Sequence, residues 1–238
     1  MRKLTTIAAI AALSTAALAV DLPVLPLGDI DMKYEGFSWE TDTNGGHPPA
    51  GGPGVAGNVL YSVGQVLKIM DAAGVNTLYD PADYGAEMTY YLHDMVSLGA
   101  APYGPTSWQT YYTDGSFDIY FDAPPNFQAA TGPTTYSGVT DGLLWLSADA
   151  VSFMTVFNPS TGVGFFNGTF QVTGGAAQGI IPGALVTIGA STDMAMPPGW
   201  TYDHRIKGDM RGTAVPEPAS FTLLAIALAG VLRTRRIR

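Results

Sequence analysis

The side chains that could do chemistry are few. The 238-residue chain has three histidines, His47, His93 and His204. A zinc site built on histidine takes two or three ligands at helical spacing or on alternate strand positions. No H-x-H or H-x-x-x-H occurs. His47 lies in a loop of Gly and Pro, while His93-Asp94 and Asp203-His204 fall in segments expected to be strands. Three surface or rim histidines are the plain expectation. A Ser-His-Asp triad can be assembled from distant segments. The strained elbow that often carries its serine is missing, because Leu60-Tyr61-Ser62-Val63-Gly64 lacks the first Gly of G-x-S-x-G. Gly52-Pro53-Gly54-Val55-Ala56-Gly57 fits G-x-G-x-x-G, but a dinucleotide site needs a strand before it and a helix after it. Here a Pro-rich loop precedes it and an expected strand follows.

Carboxylates remain. Glycoside hydrolysis needs two of them facing across a cleft, roughly 5–9.5 Å apart. The glutamates are Glu35, Glu40, Glu87 and Glu217, and Asp80, Asp83, Asp114 and Asp141 stand in turn contexts. Oxygen-rich Asp29-Ile30-Asp31 and Asp80-Pro81-Ala82-Asp83 are the candidates for a structural calcium ion, though neither fits an EF-hand. No catalytic residue, no metal and no required cofactor is assigned. Cysteine is absent, which excludes thiolate nucleophiles, thiolate metal sites and any disulfide framework. The 12 Tyr and 4 Trp include two adjacent pairs, Tyr90-Tyr91 and Tyr111-Tyr112. On a strand, neighbours point to opposite faces. One of each pair belongs to the core, and the other faces outward, against a second layer or as a sugar platform.

The elements that must position these groups are β. Gly and Pro supply 29 and 17 residues, which favours short strands and turns over long helices. Charged residues reach only 13%, against roughly 25% in ordinary domains. Apolar residues alternate in Met88–Val96, Val151–Phe157, Gly164–Val172 and Leu185–Gly189. Val59–Met70 reads as one or two strands broken at Gly64. Trp108–Tyr112 and Phe117–Phe121 flank Asp114-Gly115, which predicts a hairpin with those two residues at its tip. Gly45–Gly57, Pro102–Pro105, Ala123–Pro125 and Met196–Gly199 read as loops and turns. The expected fold is all-β, a single jelly-roll-like β-sandwich of about nine to twelve strands.

Charge narrows the partners. Between Val20 and Val215 there are five basic and nineteen acidic residues, a net of −14. Such a surface repels phosphate backbones, so nucleic acid is excluded as a partner.

The two ends carry an address. Arg2 and Lys3 precede an apolar run from Ile7 to Val20, and Ala17-Leu18-Ala19 gives an A-x-A cleavage site. This predicts a signal peptide over 1–19, cut by signal peptidase, with an ectodomain over 20–212. Residues 213–238 hold Pro216-Glu217-Pro218, an apolar run over 219–232 and the basic residues Arg233, Arg235, Arg236 and Arg238. As a helix those 14 apolar residues span about 21 Å, short of the roughly 30 Å hydrocarbon core. Snorkelling arginines extend that reach and stay cytoplasmic. This order of elements resembles the PEP-CTERM sorting signal of Gram-negative bacteria, whose tails are also catalogued as an ice-binding protein C-terminal domain. The resemblance implies that Pro216, Glu217 and Pro218 are recognition residues for exosortase, a membrane-embedded protease. It also implies a transmembrane sorting helix that holds the chain at the inner membrane before processing, and association with exopolysaccharide and biofilm afterwards. It implies no ice face, since the regular Thr-x-Thr ladder is absent: Thr41-Asp42-Thr43 stands alone. The expected protein is an exported, non-enzymatic component of the envelope or extracellular matrix. The alternative is a secreted hydrolase acting on glycans, and a cleft with a close Asp/Glu pair distinguishes it.

Overall fold

The computed structural model describes residues 25, 28–44, 53–128, 138–193 and 202–215. The signal-peptide residues Ala17 and Ala19, His47, the Pro216-Glu217-Pro218 triplet, the 219–232 run and the terminal arginines lie outside the described residues. Ten strands and one short helix are described: β1 (Gly28–Thr41), β2 (Val59–Asp71), β3 (Thr77–Tyr79), α1 (Pro81–Tyr84), β4 (Glu87–Tyr103), β5 (Ser107–Thr113), β6 (Ser116–Asp122), β7 (Leu143–Asn158), β8 (Val163–Gly174), β9 (Ala184–Asp193) and β10 (His204–Ala214).

The strands close into an eight-staved up-and-down barrel, not a sandwich. Closure comes from β1 and β10, which pair antiparallel from Gly28↔Ala214 to Ser38↔His204. A closed barrel has no edge strands, whereas a sandwich keeps them. Alternation is the same in both folds, so the pattern that gave the strands does not distinguish them.

The expected hairpin at Asp114-Gly115 is also corrected. Both flanks are strands, but β5 and β6 do not pair with each other. Each pairs antiparallel with β4 and with β7, so the two lie end to end as one stave. Asp114 and Gly115 have φ of 58° and 82°, and Asp94 on β4 has φ 58°. Left-handed residues there kink the stave without reversing it. A Cβ on Gly115 would lie 2.5 Å from the Met95 sulfur, so glycine is required at the bend. The true reversal is at Gly104-Pro105-Thr106, between β4 and β5.

Two smaller corrections follow. Gly64 does not break β2; it pairs with Gly36 on β1 inside a continuous strand. β10 runs past residue 212 to Ala214, and the Val215 N–H donates to the Ile180 carbonyl at 2.7 Å. The barrel thus extends beyond the expected boundary at 212. Among the described residues no helix is long and apolar enough to cross a membrane.

Even-numbered residues of β1 and β10 point inward, and charged Asp31, Lys33, Glu35, Lys207 and Asp209 line the outside. On these two strands that is the reverse of an outer-membrane barrel, which is polar within and apolar without, whereas the outer face of β7–β9 exposes Val151, Phe165, Val186 and Ile188. One end is packed solid. Ile30, Met32, Met88, Trp145 and Leu185 are at most 1% exposed there. The 175–183 connection caps that end, its Ala177 and Ile181 fully buried and its Ala177 N–H donating to Trp145 O at 2.7 Å.

Candidate functional site

The described residues do not fill the other end. A cavity of about 360 Å³ descends from it into the barrel. Its wall is made by the inward positions of the staves. Small residues and rings alternate so that strands come close and rings lie over the gaps. Gly36 and Gly64 face each other on β1 and β2, and a Cβ on either would overlap the Tyr90 ring or its hydroxyl. Gly208 on β10 makes the same room for Tyr34, and Gly189 on β9 for Phe166. Tyr34 and Tyr90 meet edge to face at 5.2 Å, and Tyr90 stacks on Phe117 at 5.3 Å. Rings in these arrangements contribute about 0.5–1.5 kcal/mol per pair beyond burial.

Each of the three tyrosine hydroxyls in the cavity wall has an acceptor. Tyr34 donates to Thr187, whose own hydroxyl donates to Asp209 O at 3.2 Å. Tyr90 and Ser62 are 3.2 Å apart, and Ser62 donates to Phe37 O at 2.9 Å. Tyr112 donates to Glu40 Oε1 at 2.6 Å. Burial raises the pKa of all three, and at Tyr112 the Glu40 charge adds to the rise. They therefore stay neutral donors.

Polarity concentrates at the mouth. On β1 the inward series Ile30, Met32, Tyr34, Gly36 gives way to Ser38 and Glu40. Glu40 is held in place: besides Tyr112, Asn58 Nδ2 donates to its Oε2 at 3.3 Å, and its own amide donates to Asp203 Oδ2 at 3.1 Å. Asp203 and His204 line the same mouth, and His204 meets the edge of Phe157 at 5.0 Å. Among the described residues no lysine or arginine lines the cavity. Pro53, Gly54 and Val55 reach over the opening. The Gly54 carbonyl accepts from Ala100 N and the Ser97 carbonyl from Gly57 N, each at 2.8 Å. Pro53, Gly54 and Val55, from the segment expected to be a loop, form one wall of the mouth.

The other singled-out residues lie elsewhere. His93 is on the outer wall. Its Nε2 is 3.2 Å from Asp118 and its Nδ1 2.8 Å from Asp94, while Ser147 donates to Asp118 at 2.5 Å. The serine thus engages the carboxylate and not the imidazole, which is not the order a triad needs. Hydrogen bonding to Asp118, joined by Asp94, raises the His93 pKa against the opposing effect of burial. Glu87 is 3% exposed and accepts from the amides of Asn126 and Phe127 and from Gln65 Nε2 at 2.8 Å, which ties the β6–β7 loop to the wall. Asp80 caps α1 by accepting from Ala82 N, and Asp29 and Asp31 are strand residues engaged by Thr213 and Lys33. Among the described residues no group of three or more His, Asp or Glu gathers as a metal site. Tyr90 and Tyr112 are buried while Tyr111 is 52% exposed, as the paired-aromatic reading required. Tyr91 is stacked in an outer row with Tyr61 and His93, so its faces are covered.

Sequence reasoning missed the cavity because its residues come from eight staves. The one local signal was the change from apolar to polar along the inward face of β1. Taken together, these features define a closed up-and-down β-barrel with a ligand-sized chamber, the size class in which eight strands enclose one small ligand.

The chain ends in an address. The PEP-CTERM protein-sorting motif matches residues 214–236, a span containing Pro216-Glu217-Pro218 and starting at the last residue of β10. The motif marks the chain for export to the envelope of a Gram-negative bacterium and implies processing by exosortase. No curated protein and no solved structure matches the chain.

Proposed function

We propose that this is a non-enzymatic envelope protein whose barrel holds one small, largely apolar ligand and which reaches the exopolysaccharide layer after signal peptidase and exosortase have acted. The cavity carries this reading. Among the described residues it is enclosed by rings, sealed at one end and open at the other, and its volume lies within the roughly 300–1,000 Å³ typical of ligand pockets. Ligand bound only by the folded state raises the melting temperature. Full-length protein in phosphatidylcholine nanodiscs should therefore melt higher with millimolar hexan-1-ol. Thr155→Trp or Ser191→Leu, which fill the mouth, should remove that shift. An unchanged transition in the unsubstituted protein refutes the reading. Processing is tested apart: intact mass of the extracellular form should lack Arg238.

A second reading keeps the glycan hydrolase, because Glu40 and Asp203 both line the mouth. Against it, the chamber formed by the described residues has one opening and admits a chain end at most, whereas a glycosidase holds sugar on both sides of the scissile bond. Reducing ends released from the host polysaccharide by the unsubstituted protein, and lost in Glu40→Gln, would favour the hydrolase.

A further inference from the structure

We infer that the ligand is a cationic amphiphile, an apolar body bearing a protonated amine, with the amine set on Glu40 and the body among the rings below it. The inference rests on reading the cavity as a ligand site and adds the ligand's charge. A carboxylate offers about four lone-pair positions. Tyr112 and Asn58 take two, one on each oxygen, and fix the group without neutralising it. The remaining positions face a chamber that, among the described residues, no lysine or arginine lines. Below the carboxylate the wall is Phe153, Phe166 and Phe117, whose faces suit alkyl or aromatic groups and attract a cation near them.

The surroundings agree. The span from Val20 to Val215 carries a net charge of −14, which raises the local concentration of cations and lowers that of anions. Lys33, Arg205 and Lys207 stand on the outer wall and are occupied by Asp31, Asp209 and Glu35. An anionic head, such as a fatty carboxylate, would meet the Glu40 carboxylate, and among the described residues no lysine or arginine lines the cavity wall. A neutral alcohol can donate one hydrogen bond but gains no charge pairing. Hydrogen bonds to charged groups are the stronger class, so the ammonium should bind about tenfold more tightly than the alcohol of the same length.

Three six-carbon probes separate these cases: hexylammonium, hexan-1-ol and hexanoate, each titrated against full-length protein in phosphatidylcholine nanodiscs at pH 8. Affinity is read from the shift in melting temperature with concentration. The expected order is hexylammonium, then hexan-1-ol, then hexanoate, and Glu40→Gln should bring the ammonium-to-alcohol ratio down to about one. Hexanoate equal to or tighter than hexylammonium overturns the charge assignment and leaves the chamber standing as a ligand site. An ammonium preference that survives Glu40→Gln overturns the role of Glu40. No shift with any probe overturns the ligand site itself.

Discussion

The floor and the mouth of the barrel are built from the same staves, yet they differ in kind. On β1 the inward residues near the floor are Ile30 and Met32, and near the mouth Ser38 and Glu40. On β9 Leu185 at the floor becomes Ser191 at the mouth, and on β7 Leu146 becomes Thr155. Alternation decides which face a residue takes. The identity of the inward residue decides how far the barrel is filled. Large aliphatic and indole groups close the floor to native density, while short polar groups at the mouth leave the chamber.

The contrast is broken first by stability. Trp145→Ala should cost about 3–5 kcal/mol in denaturant unfolding, because it empties a packed floor. Thr155→Ala at the mouth should change stability by less than about 1 kcal/mol. Equal losses would mean that both ends are packed alike.

Glu87 sharpens it next. Its carboxylate serves two loop amides and the Gln65 amide on the floor side of β4. Glu87→Ala leaves those donors unserved and should cost about 2–3 kcal/mol in the same measurement. Glu40→Ala strips two donors of their acceptor, Tyr112 and Asn58, where Glu87→Ala strips three, so its loss should be smaller.

Gly54 tests the mouth alone. A Cβ there would lie 2.9 Å from Thr110 Oγ1, so Gly54→Val should displace the segment over the opening. Overpacking of this kind costs about 1–3 kcal/mol in a core, and less where a loop can lift. The expected signature is faster amide exchange at Gly57 and Ala100, with exchange at Ala177 unchanged.

The smallest effect belongs to the outer wall, away from both ends. The folded pKa of His93 is raised, chiefly by Asp118. Its stabilisation is therefore full below about 6.5, the ordinary imidazole value, and is lost as pH rises through the folded value. The pair is partly exposed, so about 0.5 kcal/mol is expected. The stability difference between the unsubstituted protein and His93→Gln should be larger at pH 5.5 than at pH 9, and a difference independent of pH would refute the pairing.

Much of the strand content was legible because alternation is local. Phe165, Phe166 and their neighbours on β8, and the inward-outward split of Tyr111-Tyr112, follow from a period of two. Closure was not legible. It depends on Gly28 meeting Ala214 across 186 positions, and no local residue encodes that register. Asp114-Gly115 misled for a related reason. The pair supplies positive φ, which suits a tight hairpin and a kinked strand equally, and only the partners β4 and β7 decide between them. Glu40 stood among the glutamates as one candidate of four. Its role emerged when Tyr112, Asn58 and Asp203, distant in sequence, were seen around it. The tail was the clearest part to read, because its elements are contiguous and act by order alone.

The most direct test of the chamber is where a small ligand sits. Full-length protein with labelled methyl groups, held in nanodiscs with hexan-1-ol, should show intermolecular nuclear Overhauser effects to Leu60, Thr155 and Ile206. It should show none to Ile181 and Leu185 in the floor. Contacts confined to the exposed methyls of Val151 and Ile188 on the outer wall, or spread through the floor, would contradict a barrel that is sealed at one end and open for binding at the other.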